Sequence, residues 1–223
     1  MTNSLKINTD NDGVPLIDKV LNVLEKSIIR GEIGPGERLS EASLAKKMGI
    51  SRVPVREALI RLEEANVVKK TYQGREIVKR TNKDLEDLYE IKILLEVHGA
   101  TKGCLSSKKQ IIDRLDDLVL KMENLFQEGN SLKIQQVNQQ FHNLLVKSSN
   151  NEKLYNIYLN TAKQIRWTTS LSVSNFEILP LAIKEHSEIL QAFKDSDCNK
   201  LAGLIKTHGE RFQRSISSVK HSV

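Results

Sequence analysis

Met48-Gly49-Ile50-Ser51-Arg52-Val53-Pro54-Val55-Arg56-Glu57-Ala58-Leu59 reads as a tight corner followed by a basic amphipathic helix. Gly49 suits the corner, Ser51 suits the cap, and Pro54 falls in the first turn, where a missing N–H leaves no intrahelical bond unmade. Val55, Ala58, Leu59 and Leu62 share an inner face, while Arg52, Arg56 and Arg61 fall mainly elsewhere. Upstream, Ser40 can cap a short helix with Leu44, Ala45 and Met48 inward, and Ile17, Val20, Leu21, Leu24 and Ile28 mark an earlier helix that Gly31 and Gly34-Pro35-Gly36 stop. Downstream, Val67–Thr71 and Glu76–Lys79 are β-prone runs around Tyr72-Gln73-Gly74-Arg75. Three helices and a hairpin predict a winged helix-turn-helix.

In a helix-turn-helix the start of the second helix enters the major groove. Arg52 and Arg56 stand at that start, and an arginine can donate twice to guanine O6 and N7 or clamp a phosphate. Ser51 suits a phosphate, and the wing from Tyr72 to Arg75 suits a neighbouring phosphate or the minor groove. A basic amphipathic helix can also be no more than a solvated face, so the charge distribution matters. Between Arg38 and Arg80 eleven Lys and Arg stand against five Asp and Glu, so this stretch carries the whole net charge of +6. Lys46, Lys47, Lys69 and Lys70 add sequence-independent attraction to DNA.

Residues 1–14 show no periodicity and read as a flexible arm ahead of a DNA-binding domain at 15–80. Beyond Thr81-Asn82-Lys83-Asp84, which marks the joint, the chain is helical in period throughout 81–223. Stripes run through Leu85/Leu88/Ile91/Leu95, Ile111/Leu115/Leu118/Met122/Leu125 and Ile134/Phe141/Leu145, with three more helices near 152–173, 177–195 and 197–219. The breaks fall at Asn150-Asn151, Ser174-Asn175 and Asp195-Ser196-Asp197. The fold class is therefore mainly α: a winged helix-turn-helix, then an antiparallel bundle of about six helices. No apolar run approaches the roughly 20 residues of a membrane span, so a cytoplasmic protein without membrane contact is expected. Cys104 and Cys198 lack Cys-x-x-Cys spacing, which predicts two reduced thiols and no disulfide framework.

Three of the five histidines sit on inward helical faces. His142 lies beside Phe141 and Leu145, His186 beside Ala182, Ile183 and Leu190, and His208 beside Leu201, Leu204, Ile205 and Phe212. Asn138 precedes His142 by one turn on the same face. Any one of these alone fits a hydrogen-bonded core histidine. Three imidazoles with one amide oxygen suit a divalent transition metal, Zn²⁺ or Ni²⁺ first, with positions left open for water or a carboxylate.

Glu37-Arg38-Leu39-Ser40-Glu41, Leu44-Ala45 and the run from Met48 to Leu59 resemble the winged helix of the GntR superfamily of bacterial regulators. The resemblance implies that Ser51, Arg52, Val53, Pro54 and Arg56 touch DNA, with Gly74 at the wing tip; Arg38 and Arg75 are expected beside them as further DNA contacts. Asn138-Gln139-Gln140-Phe141-His142, Asn150, Glu185-His186 and His208 resemble the effector-binding FCD domain of the FadR-type branch, six helices pointing to its VanR-like subgroup. There the first metal ligand is often Asp where this chain has Asn138, and an Arg of the first helix is replaced by Lys92. Lys92, Arg166 and Trp167 are the candidates for the effector pocket. The implied protein is a homodimeric repressor on pseudo-palindromic duplex DNA, released or recruited by a small organic acid, with no catalytic residues. Two rivals stand beside it: a purely structural metal site, and a three-histidine metalloenzyme with Glu185 as base.

Overall fold

The computed structural model describes residues 5–7, 13–106, 109–169 and 179–217. Residues 1–4 and 8–12 of the expected arm, the break at Ser174-Asn175 and His221 lie outside them. The chain divides into two compact units, one reaching to Leu85 and including the end of the seventh helix from Lys163, the other formed from Glu86 onward.

The first unit opens with α1 (Leu16–Ile29), whose Val20, Leu24 and Ile28 are buried. Gly31, at φ 70°, ends it by donating to the Ile28 carbonyl. Then come β1 (Arg38–Leu39), α2 (Glu41–Met48) and α3 (Arg52–Glu64). Ser40 Oγ accepts from Ser43 N, and Gly49 closes α2 at φ 71°, the left-handed corner read from the sequence. Asn66, at φ 55°, does the same for α3, with Val67 N returning to the Leu62 carbonyl. β2 (Val68–Thr71) and β3 (Gly74–Ile77) form the wing hairpin, and β3 lies between β2 and β1, antiparallel to both. The turn is shorter than expected, only Tyr72 and Gln73, because Gly74 at φ 118° already pairs with Thr71. Two residues of β1 are too few to show a period, so that strand was invisible in the sequence.

This core holds Val20, Leu24, Val55, Ala58, Leu59 and Leu62, all at 0% exposure, and also Trp167. Leu5 and Ile7 pack against it as well, so the flexible-arm reading does not extend to those two residues. Fully burying each of these aliphatic side chains contributes about 1.5–3 kcal/mol.

The second unit is built from α4 (Asn82–Cys104) from Glu86 on, α5 (Lys109–Gln127), α6 (Ser131–Lys147), α7 (Glu152–Thr169) as far as Ala162, α8 (Leu179–Lys194) and α9 (Cys198–Ser217). α5 packs on α6 and α8, and α8 on α9, around Leu115, Met122, Phe141, Leu145, Ile189, Phe193 and Leu201. Short polar residues set the corners. Asn130 caps α6 through Lys133 N, Asn151 caps α7 through Leu154 N, and Asp197 accepts from Lys200 N in α9.

α4 approaches α6 at two glycines. A Cβ on Gly99 would stand 2.9 Å from Val146 Cγ1, and one on Gly103 would overlap the side chain of buried Ser148. Ser148 is held in turn by donating to the Leu145 carbonyl at 2.6 Å. Gly103→Ala is therefore expected to destabilise the protein by about 1–3 kcal/mol despite the better helix propensity of alanine. A urea midpoint unchanged or raised in this variant would show that α4 can move away from α6.

Candidate functional site

Two groups of side chains stand out, one in each unit. On the first unit the start of α3 presents Ser51, Arg52, Val53 and Arg56 to solvent, with Val53 63% exposed. An exposed valine beside two exposed arginines is a poor solvated face and a good groove-facing one. The Ser51 hydroxyl makes no capping hydrogen bond, which leaves it available beside the positive end of the α3 dipole. Pro54 and Val55 are buried, so Pro54 shapes the first turn from inside. Lys46, Lys47, Lys69 and Lys70 are exposed, as is Arg38 on β1.

Arg56 and Arg75 are not independent. Arg56 Nε lies 3.0 Å from Glu41 Oε2, and Arg75 reaches the other oxygen of Glu41 at 2.9 Å while its Nε bonds Glu63 at 2.9 Å. The Arg75 side chain is only 16% exposed and ties the wing to α2 and α3. Gly74 is exposed next to the fully projecting Tyr72. The Glu41 bridge left no trace along the chain, because its three members lie 15 and 34 residues apart.

In the second unit His142 of α6, His186 of α8 and His208 of α9 converge, all buried, with their nearest ring nitrogens within 4.8 Å of one another. His142 Nε2 and His186 Nε2 are 3.1 Å apart. Two nitrogens bound to one ion at about 2.1 Å would be separated by roughly 3.0–3.4 Å, so this pair has the spacing of shared ligands. His142 Nδ1 pairs with Glu96 of α4, and His208 Nδ1 lies 2.6 Å from Glu185 Oε2. Each carboxylate fixes an imidazole with Nε2 inward, the usual bracing of a metal-ligating histidine. Lys92 Nζ holds Glu96 at 2.6 Å, and Arg211 Nε holds Glu185 at 2.8 Å. Asn138 Oδ1, one turn before His142, is buried with no hydrogen-bond partner. An orphaned amide oxygen one turn from one of three converging imidazoles has the chemistry to accept a cation.

The electrostatics agree. Burial pushes His142 down to about 4 against the opposing pull of Glu96, and burial with its two neighbouring histidines drives His186 well below the usual range. Both are neutral at pH 7, the form that ligates. Burial alone would raise Glu185, but the His208 and Arg211 hydrogen bonds hold it down at about 2. Glu96 is likewise held low by His142 and Lys92 in spite of its burial. A carboxylate clamped in this way is a poor general base, which removes the chemical ground for Glu185 as a catalyst.

A pH effect follows for the metal-free protein. Unfolded histidine takes a proton near pH 6.5, but folded His142 only near 4. Between these values the unfolded chain binds more protons, so stability falls as pH falls, by about 1–3 kcal/mol over that window. Urea midpoints measured with a chelator from pH 7 to 4 check this; a flat profile would mean that the folded imidazole is protonated and paired.

Of the expected effector residues, Lys92 stands at this cluster through Glu96 and lies 5.8 Å from the centroid of the Tyr158 ring. Arg166 and Trp167 are grouped instead with the first unit. Arg166 is a neighbour of Glu25 there, and Trp167 is buried in that unit's core. Glu96 was missed by sequence reasoning, although an acid one turn after Lys92 on a largely apolar helix was a usable signal.

Residues 16–75 match the family of bacterial regulatory proteins of gntR type, and residues 87–211 match the FCD domain. An HTH-type transcriptional regulator of Bacillus subtilis, YdhC, is 29% identical over 90% of this chain and 89% of its own. The HTH-type regulator McbR of Escherichia coli is 28% identical over 82% of this chain and 85% of its own. Its solved structure superposes with a TM-score of 0.77 at 22% identity, covering 91% of this chain and 97% of that one. A GntR regulator structure from Rhodococcus gives 0.75 at 20% identity, covering 91% and 98%. These relatives are regulators and not enzymes, and none of the described helices is long and apolar enough to cross a membrane. The chain belongs to the GntR family of DNA-binding transcriptional regulators, with a gntR-type winged helix ahead of an FCD domain.

Proposed function

We propose that this regulator is a repressor whose operator affinity is set by a small carboxylate taken up at a divalent metal site in the FCD domain. The observation that carries the reading is the convergence of His142, His186 and His208, two of them braced by Glu96 and Glu185, beside the orphaned oxygen of Asn138. His142, His186 and His208 would hold Zn²⁺ or Ni²⁺ through Nε2, with Asn138 Oδ1 as a fourth donor. The ion would supply a Lewis-acidic position for a carboxylate oxygen. Lys92, already buried against Glu96, supplies a positive charge near that position. With an amide in place of a carboxylate donor the site carries one negative charge fewer, which favours an anionic ligand over water.

Ser51, Arg52, Val53 and Arg56 would read one half-site, and two copies would be needed for a useful site length, so a homodimer on a pseudo-palindrome is part of the proposal. The six described helices from α4 to α9 are consistent with the VanR-like subgroup. The ligand acts only through different affinities for the DNA-binding and DNA-free states.

The test is thermal denaturation of chelated and metal-loaded protein against small carboxylic acids, followed by DNA binding with any acid that stabilises. An acid that raises the melting temperature only with metal present, and changes DNA affinity, supports the reading. Stabilisation by metal with no response to any acid, and DNA affinity unmoved, would make the site structural.

A further inference from the structure

The FCD unit contains a second reactive pair that its regulatory reading does not use. Cys104 is the last residue of α4 and Cys198 the first of α9, 94 positions apart in sequence, yet their Sγ atoms lie 2.6 Å apart. That is well inside non-bonded sulfur contact and only a little beyond the roughly 2.05 Å of a disulfide. Both sulfurs stand at helix ends inside one compact unit, and the sulfurs need approach by only about 0.5 Å to reach bonding distance. The two differ in access: Cys104 is 1% exposed within the core, whereas Cys198 is partly exposed at its edge.

We propose that Cys104 and Cys198 are a reversible redox pair, oxidised by hydroperoxides to an intramolecular disulfide that joins the end of α4 to the start of α9.

Access assigns the roles. The Cys198 thiolate attacks one peroxide oxygen; the S–O bond forms, the O–O bond breaks, and the departing oxygen leaves as water or alcohol after taking a proton. Cys198 is then a sulfenic acid. Cys104 Sγ attacks that sulfur; the S–S bond forms, the S–O bond breaks, and hydroxide leaves as water with the Cys104 proton. The two thiols lose two electrons and the peroxide gains them. Burial and the adjacent Cys198 push the Cys104 thiol up to about 12, which argues against Cys104 as the first attacker; it gives up its proton only as hydroxide leaves the Cys198 sulfur beside it. An external dithiol reverses the step by two exchanges.

The cross-link would span two helices that also serve the histidine cluster: α4 carries Glu96 eight residues before Cys104, and α9 carries His208 ten residues after Cys198. Closing so long a loop restricts the unfolded chain and raises the unfolding midpoint. Formation of the bond depends on neither DNA nor metal, so it can be tested apart from the regulatory reading.

The experiment uses the reduced full-length chain with a chelator present, which prevents any metal from holding the thiols. It is exposed to hydrogen peroxide, alkylated with N-ethylmaleimide and mapped by peptide mass. Expected are loss of both alkylatable thiols, a linked peptide pair containing Cys104 and Cys198 with the chain still single, and full reversal by dithiothreitol. The melting temperature should rise on oxidation in the wild type and stay unchanged in Cys198→Ser, a near-isosteric change at a partly exposed position that leaves the Asp197 cap of α9 in place and is expected to fold. Two alkylatable thiols surviving peroxide, a link between separate chains, or a sulfinic acid on Cys198 without the cross-link would each overturn the proposal. So would an equal rise in Cys198→Ser.

Discussion

His186→Ala is expected to abolish the thermal stabilisation that Zn²⁺ or Ni²⁺ gives the wild-type protein. His186 is 1% exposed, its Nε2 faces that of His142, and its ring lies between the other two imidazoles and Phe141. Metal at about a hundredfold its dissociation constant stabilises by about 2.7 kcal/mol, which in a domain of this size raises the melting temperature by about 5–10 °C. The variant also leaves a cavity, so its own baseline falls; the difference between chelated and loaded forms isolates the metal term. Glu96→Gln and Glu185→Gln keep the volume and remove the charge that orients each imidazole, and should weaken metal binding about 10–100-fold without abolishing it. If His186→Ala responds to metal as the wild type does, the ion is bound elsewhere and the proposed sensor fails.

The second large effect belongs to α3. Arg52 is exposed at the start of the helix and has no ion pair among the described residues, so its guanidinium is available to a base edge. Arg52→Ala should lower affinity for an operator selected from a random duplex pool by about 1–3 kcal/mol per half-site, and relax the base preference at one position. Lys70→Ala should behave differently. A lysine on the wing strand neutralises phosphate, so its loss should weaken all sequences alike and reduce the slope of log affinity against log salt by about one. Arg75→Ala should appear chiefly as lost wing stability, because that side chain is spent on Glu41 and Glu63. Equal losses on operator and random DNA for Arg52→Ala would place Arg52 on the backbone and transfer base reading to Arg56.

The parts that could be read from sequence share a cause: they are set by residues close along the chain. Ser40, Gly49 and Pro54 fix α2, the corner and the first turn of α3 through a local cap and backbone preferences, and the structure has each in that role, whereas Ser51 stands at the cap position of α3 without making the capping hydrogen bond. The three histidines were legible because each lay on an apolar face of its own helix. What escaped notice depends on residues far apart. Glu96 and Glu185 reach their histidines from other helices, Trp167 belongs to the core of the first unit, and Cys104 meets Cys198 across most of the FCD unit. Leu5 and Ile7 are too isolated in a polar arm to form a pattern, yet pack on the first core.

The bridge at Glu41 changes how the protein would search a genome. One carboxylate holds Arg56 and Arg75 together, so a phosphate passing under α3 competes with an internal anion for the Arg56 guanidinium. On random sequence that exchange gains little, since one charge-assisted contact merely replaces another. On the operator the same exchange adds base contacts that Glu41 cannot mimic. Glu41→Gln should therefore tighten binding to bulk DNA more than binding to the operator. A regulator so altered would bind more DNA and find its target more slowly, because it would linger at every wrong address along the way.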